Sequence, residues 1–225
     1  MLMGSIKEMS PRETRLVFVR HGQSLGNQRG IFLGHTNMDL SELGYAQAES
    51  VSQYIYENYT VSRIYSSDLM RACHTVAPLA RRLHLDIEPL KTLREIKAGS
   101  WEGMSFDAIA QKYPHEHRMW ATRIGLAECP NGERVADLRE RIATAVAKIA
   151  SENCGETVCI GSHATPLRML MTMWNDLPLE RAHEIPFPTN ASVSVSIYEK
   201  ERFLRCECYS FDEYLGDLRN VAKLS

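Results

Sequence analysis

Long apolar runs are absent from the 225-residue sequence, and none approaches the roughly 20 residues that a membrane-spanning helix needs. A net charge of -2 excludes the generally basic surface that bulk nucleic-acid binding requires. The six cysteines form no CxxC pair and match no zinc-site spacing, which predicts reduced thiols in the core. Lys7 and Glu8 stand where a signal peptide would need an apolar stretch. We therefore expect a soluble, cytoplasmic protein without nucleic-acid or membrane partners.

Internal repeats, low-complexity tracts and interdomain linkers are also absent. The composition, with 44% apolar and 24% charged residues, is ordinary for a globular protein. We expect residues 1–225 to form a single domain with a short helical insertion near residues 104–130. Short apolar runs alternate with amphipathic stretches along the chain, and this pattern predicts an α/β fold.

The most informative stretch is LVFVRHGQSLGN, residues 16–27. Its first five residues are typical of a strand buried on both faces. Arg20 and His21 follow where that strand ends, and Gly22 allows the backbone to turn sharply. Ligands bind at the carboxyl ends of strands in open α/β sheets, so this pair favours an anionic substrate that meets a nucleophile or a proton carrier. A lone histidine is more often structural, so the hypothesis requires complementary groups from other segments.

Two later segments supply such groups. Residues 156–161 are a predicted strand that ends in His163, so a second strand delivers a histidine at its carboxyl end. Residues 62–66 are another short strand, and the apolar spacing from Asp68 onward predicts an amphipathic helix. Arg71 lies in the first turn of that helix, where the helix dipole disfavours a cation. Arg71 therefore indicates either a bound anion or a solvent-facing side chain, and both alternatives stay open.

The remaining elements complete the α/β pattern. Ser41 is an expected helix cap, and the clearest helix covers residues 135–149. A short strand over residues 85–90 precedes Glu95. Residues 191–209 predict a hairpin at a sheet edge, and its outer strand offers a surface on which a homodimer could pair.

Six segments of the chain carry a resemblance to a known family. They are RHGQSLGN (20–27), LSELGYAQA (40–48), SSDLMRACHT (66–75), LREIKAGSWEG (93–103), PNGE (130–133) and GSHATPLR (161–168). In this order they resemble branch 1 of the histidine phosphatase superfamily, which includes phosphoglycerate mutases, α-ribazole phosphatase and broad-specificity phosphatases. The resemblance implies a three-layer α/β/α fold with a mostly parallel central sheet and an antiparallel edge strand or hairpin.

The resemblance also implies a metal-independent phosphomonoesterase that needs no cofactor and hydrolyses a small phosphorylated metabolite. His21 is implied as the nucleophile that forms a phosphohistidine, and Glu95 as the group that protonates the leaving oxygen and then takes a proton from water. The groups implied around the phosphoryl oxygens are Arg20, Arg71, His163 and Asn27. Arginines suit this role because they stay protonated and can hold two oxygens at once.

Two positions depart from the family pattern and bear on substrate choice. Leu33 stands where a hydroxyl or amide side chain is usual, so only the main chain of Leu33 and Gly34 can contact a phosphate there. Ala164 replaces the glycine that commonly follows the second histidine, and its methyl group should narrow the pocket. Four further side chains either shape the pocket or are ordinary surface or packing residues, and both alternatives stay open: His35, Trp101, Arg118 and Arg123.

Three alternatives to hydrolysis stay open. A phosphoglycerate mutase would use the same groups, but the segment 103–130 is short and offers only scattered cations, which favours hydrolysis. A phosphate-binding regulatory domain would not need the proton donor Glu95. A metal site at His115 and His117 has no partners at ligand spacing.

Overall fold

The structure, a computed structural model, describes residues 9–219, and these residues form one six-stranded sheet. The strands are β1 (Glu13–Arg20), β2 (Val61–Ser66), β3 (Ile87–Pro89), β4 (Thr157–Ser162), β5 (Val193–Glu199) and β6 (Arg202–Phe211). Their order across the sheet is β3-β2-β4-β1-β5-β6. The first four in that order run parallel, whereas β5 is antiparallel to β1 and β6 is antiparallel to β5. The expected parallel sheet with an antiparallel edge hairpin is confirmed.

Helices cover both faces of this sheet. They are α1 (Leu25–Gln28), α2 (Glu42–Asn58), α3 (Met70–Leu83), α4 (Phe106–Lys112), α5 (Pro114–Thr122), α6 (Val135–Glu152) and α7 (Ala164–Trp174). Leu16 and Phe18 of β1 belong to a core cluster shared with α6 and α7. Val17 and Val19 point to the opposite face, where their cluster includes α2 and α3. Alternation along one buried strand thus produces two cores, and the three-layer prediction is confirmed.

A local sequence signal placed the start of α2 correctly. Ser41 caps α2 by accepting a hydrogen bond from the Gly44 amide at 3.1 Å, as an N-cap serine does. Residues 104–130 contain α4, α5 and a short 3₁₀ turn at Ile124–Leu126.

The expectation of core thiols was wrong in part: all six cysteines are free, but Cys154 is exposed, since it lies in the turn between α6 and β4.

Several expectations are not decided by the fold. Lys7 and Glu8 lie outside the described residues, and the single domain over 1–225 stays a prediction. Within residues 9–219, no helix combines the length and the apolar character that crossing a bilayer demands. The cytoplasmic location and the homodimer stay predictions as well.

Candidate active site

The two histidines at strand ends meet because β1 and β4 are neighbours in the sheet. Arg20 pairs with Ser162 in the parallel register, so His21 and His163 follow at the same level. The His21 amide donates to the Ser162 carbonyl at 3.0 Å, and the two imidazole ring centres lie 5.2 Å apart. Two segments separated by about 140 positions in sequence thereby place their rings side by side at the carboxyl edge of the sheet.

His21 is held as a neutral imidazole with a defined orientation. Its Nδ1 lies 2.7 Å from the Gly22 carbonyl oxygen, a group that can only accept, so Nδ1 carries the proton. Burial lowers the pKa of His21 well below its usual value, and the cationic Arg71 and Arg20 lower it further. A neutral ring protonated at Nδ1 keeps the lone pair of Nε2 available for attack.

His163 is fully buried beside His21, and its ring is hydrogen-bonded to Ser67. Its Nε2 lies 2.8 Å from the Ser67 hydroxyl, whereas its Nδ1 has no hydrogen-bond partner among the described residues. Burial, followed by the charge of Arg71, lowers the pKa of His163 well below its usual value. When the Ser67 hydroxyl donates to Nε2, the proton of the neutral ring resides on Nδ1. His163 can then donate a hydrogen bond to an anion without carrying a charge.

Both predicted arginines are buried cations. Arg71 is 1% exposed, so the alternative of a solvent-facing side chain was wrong. It donates to the Gly34 carbonyl at 2.8 Å and to the Thr36 carbonyl at 3.0 Å. Arg20 donates to the Pro188 carbonyl, and its Nε has no partner within the described part of the chain. Burial lowers the pKa of each to about 10, so both remain charged at neutral pH.

The loop at residues 33–36 is fastened to the site by three different groups. Arg71 binds two of its carbonyls, as described above. The Glu102 carboxylate accepts from the His35 amide at 3.0 Å and from the Thr36 hydroxyl at 3.1 Å. The His35 ring is bonded to the Glu95 carbonyl at 2.9 Å. The loop therefore links the Arg71 guanidinium to the backbone of Glu95.

Gly34 is the position where this loop tolerates no side chain. Its φ of +52° lies in the left-handed region, and a Cβ there would stand 2.6 Å from the Ala98 Cβ and 2.8 Å from a Glu102 oxygen. Gly30 has a similar φ of +65°, but a Cβ at that position would meet nothing within 4 Å. An L-residue at either position would suffer the same backbone strain, but only at position 34 would its Cβ also collide with neighbouring atoms.

Gly34→Ala is expected to destabilise the protein by about 1–3 kcal/mol more than Gly30→Ala, because only the first adds overpacking to the shared backbone strain. Urea unfolding of both variants measures the difference. The displaced loop should also lower the phosphatase activity that the resemblance implies, since Arg71 bonds to its carbonyls. Equal losses of stability in the two variants would show that the loop has room to move.

Glu95 presents both carboxylate oxygens to main-chain amides. Oε1 accepts from the Ile96 amide at 2.8 Å, and Oε2 accepts from the Thr165 amide at 3.3 Å. Its own carbonyl accepts from Arg141 at 3.3 Å in addition to the His35 bond. The carboxyl group is therefore positioned by the start of α7 and by its own backbone, and it lines the same pocket as His21.

Asn27 stands at the rim of the site in the capping box of α1. Its Oδ1 accepts from the Ser24 amide at 3.1 Å and from Asn190 at 3.3 Å, which leaves its own NH₂ group as the donor for a ligand. Asn190 also donates to the His21 carbonyl at 3.0 Å. Sequence patterns did not identify Asn190, because it precedes β5 and matches none of the motifs.

The predicted site residues converge on one pocket of about 570 Å³, a volume that includes its open mouth. Those that line it are Arg20, His21, Asn27, Gly34, Arg71, Glu95 and Ala164. His163 lies beneath them, next to His21. The arrangement places a neutral imidazole, two fixed cations, uncharged donors and a carboxyl group around a small cavity.

Sequence patterns missed most of the remaining lining. The described lining includes an apolar wall, by which we mean Ile31, Phe32, Leu33, Phe106, Trp120 and Phe187. The described lining includes none of the four side chains whose role the sequence left open: the His35 ring is bonded to the Glu95 carbonyl, Trp101 is buried behind Phe32, and Arg118 and Arg123 are exposed. The Pro186-Phe187-Pro188 sequence was an available signal, because paired prolines stiffen the backbone around the phenylalanine.

Comparison with known proteins agrees with this geometry. The family model of the histidine phosphatase superfamily (branch 1) matches residues 16–208. A bifunctional protein of Mycobacterium tuberculosis is 32% identical over 71% of this chain, which spans 44% of that relative's length. Phosphoserine phosphatase 1 of Hydrogenobacter thermophilus is 29% identical over 84% of this chain and 88% of its own.

A solved structure shares the whole architecture. YhfR of Bacillus stearothermophilus superposes with a TM-score of 0.85 and 28% identity, covering 90% of this chain and 99% of its own. The family match extends from β1 into β6 and includes every residue that lines the polar part of the pocket. This chain belongs to branch 1 of the histidine phosphatase superfamily.

Proposed function

We propose that the protein is a phosphomonoesterase that hydrolyses a small phosphorylated metabolite through a phosphohistidine at His21. One observation carries this proposal: a buried neutral imidazole and two buried guanidinium groups line the same pocket as the carboxyl group of Glu95. Relatives named for phosphoserine phosphatase activity support the same reaction class. A phosphate monoester is a dianion, so most of its catalysis must come from positioning and charge stabilisation.

In the first step, His21 attacks the phosphoryl group. The lone pair of Nε2 forms the N–P bond while the ester P–O bond breaks, and Glu95, protonated in the productive complex, gives its proton to the departing oxygen. The phosphorylated ring carries a positive charge and keeps its Nδ1 proton, which the Gly22 carbonyl stabilises at 2.7 Å. Arg20 and Arg71 balance the charge on the equatorial oxygens.

In the second step, water releases the phosphate. The Glu95 carboxylate takes one proton from water, the water oxygen bonds to phosphorus, and the N–P bond breaks. Inorganic phosphate leaves, His21 returns to its neutral form, and Glu95 again carries a proton. The neutral Nδ1–H of His163 and the amide of Asn27 suit the phosphoryl oxygens in both steps, since they donate without adding charge.

Chelators are expected to leave the activity unchanged, because Arg20 and Arg71 supply the positive charge that a metal ion would otherwise provide. The measurement is phosphate release from p-nitrophenyl phosphate before and after dialysis against EDTA. A loss of activity that Zn²⁺ or Mg²⁺ restores would contradict the proposal.

The test of the function itself is a panel of phosphate esters with release of inorganic phosphate as the readout. Rapid acid-free quenching with a ³²P-labelled substrate should trap a protein-bound label that is stable in alkali and labile in acid, as a phosphohistidine is. Isomerisation of 3-phosphoglycerate without phosphate release would identify a mutase instead. Binding of phosphate esters without any turnover would identify a regulatory domain.

A further inference from the structure

We propose that this pocket selects phosphate monoesters whose alcohol carries a flat apolar group and discriminates against alcohols that carry a carboxylate. The proposal rests on the phosphatase function proposed above and names its substrate class. It follows from the chemistry of the part of the pocket that lies outside the phosphate-binding groups, where the apolar wall provides the surface for the leaving group.

Much of the apolar wall is a packed aromatic cluster with Phe32 at its centre. The centre of the Phe32 ring lies 5.1 Å from that of Trp120 in an edge-on contact and 5.6 Å from that of Phe106 in a tilted one. The fully buried Trp101 supports it from behind, with ring centres 5.6 Å from Phe32 and 5.8 Å from Trp120. Edge-to-face packing of this kind is favourable and fixes the rings before a ligand arrives.

Phe187 is positioned independently of that cluster. The buried Arg168 guanidinium lies over its ring at 4.2 Å from the centre and donates to the His183 carbonyl at 3.1 Å. The flanking prolines are anchored through their carbonyls, Pro186 by the Tyr209 hydroxyl at 2.8 Å and Pro188 by Arg20. Arg20, which lines the phosphate end of the pocket, therefore also holds the segment that carries Phe187. This contact fixes the distance and orientation between the apolar wall and the phosphate site.

The described lining of the pocket offers no further cation for a second anion, since Arg168 lies over the Phe187 ring and is not among the lining residues. Among the described lining residues the cations are Arg20 and Arg71, and both are bonded to loop carbonyls at the phosphate end. A carboxylate on the leaving group would face aromatic carbon and the side chain of Glu95. Burying a charge without a partner is costly, so such an ester would bind poorly. An apolar ring would instead bind favourably, because its transfer from water to the apolar wall lowers the free energy.

Three esters with alkoxide leaving groups separate this preference from intrinsic reactivity: benzyl phosphate, glycerol 3-phosphate and 3-phosphoglycerate. We expect kcat/KM for benzyl phosphate to exceed that for glycerol 3-phosphate by about 30-fold, the effect of burying one aromatic ring. The other two differ by a carboxylate in place of a hydroxymethyl group. The kcat/KM for glycerol 3-phosphate should exceed that for 3-phosphoglycerate by about 10-fold or more.

Trp120→Ala should lower kcat/KM for benzyl phosphate by about 10-fold and leave glycerol 3-phosphate nearly unchanged, because it removes apolar contact area and no phosphate contact. Phe187→Ala tests the other part of the wall in the same way. Tyr56→Ala is the matched control, since Tyr56 is a 51% exposed aromatic residue away from the pocket. Trp120→Leu takes the place of Trp120→Ala if circular dichroism shows that the alanine variant does not fold.

The possible failures can be told apart. If no ester of the set, nor p-nitrophenyl phosphate, releases phosphate, the proposed function fails. If the protein is active but prefers 3-phosphoglycerate, or if the wall variants lose activity on all three esters equally, the function stands and the substrate class is overturned.

Discussion

Replacing His21 with alanine is expected to lower kcat for every phosphate ester by on the order of 10⁴-fold or more, because the covalent route through the imidazole is lost. The pocket, both arginines and Glu95 remain, so substrate binding should persist. Phosphate release and ³²P labelling of the variant measure the two consequences, and both turnover and the alkali-stable label should disappear. Alanine keeps the main-chain hydrogen bonds of residue 21 and loses the side-chain bond to the Gly22 carbonyl, so the fold should be retained.

His115→Ala provides the matched control for this experiment. His115 is exposed on α5, and removing its imidazole should leave turnover and labelling as they are. Circular dichroism and thermal unfolding of both variants establish that a loss of activity is not a loss of fold. Turnover retained in His21→Ala would assign the nucleophile to another residue, for which His163 would be the first candidate by its position.

Glu95→Gln is expected to separate substrates by their leaving groups. An alkyl ester such as glycerol 3-phosphate needs a proton on its departing oxygen, so its kcat/KM should fall by about 10²–10⁴-fold when the acid is removed. The nitrophenolate leaving group of p-nitrophenyl phosphate needs little protonation, so its kcat/KM should fall by less than about 10-fold. The quantity to compare is kcat/KM, because it reports the steps up to phosphorylation of His21.

The second role of Glu95 appears in kcat for the activated ester. Without a base to take the proton from water, the phosphohistidine should accumulate, and p-nitrophenol should be released in a burst before a slow steady state. Glu201→Gln, an identical change at an exposed position in the turn between β5 and β6, should alter neither quantity. Equal losses of kcat/KM on both esters would contradict the role of Glu95 as an acid.

Two strands were predictable, the one at Leu16–Arg20 and the one before His163. A short uninterrupted apolar run that ends in polar residues is typical of a strand buried on both faces of a parallel sheet. The helix start at Ser41 was predictable for a local reason as well, since a serine side chain can accept from amides two or three residues later. The proximity of His21 and His163 was not local. It depends on β4 being inserted beside β1 in the sheet order.

Arg71 shows where prediction from local signals ends. Its place in the first turn of a helix raised the question of an anion, but the sequence contains no sign that the carbonyls of Gly34 and Thr36 would be its partners. Those contacts span 35 and 37 positions and arise because the loop after α1 folds over the start of α3. The pKa of His21 follows from the same packing, since it is lowered by burial and by two cations from different elements.

The sequence by itself determined the fold class and the inventory of reactive groups, because periodicity, caps and short motifs are properties of neighbouring residues. Only the tertiary structure decided the character of the pocket. The apolar wall is assembled from the loop at residues 31–33, from α4 and α5, and from the segment before β5. Apart from Phe187, which stands between two prolines, none of these apolar residues differs locally from an ordinary core residue. Burial against a neighbour and exposure to a cavity depend on long-range packing, which no local pattern encodes.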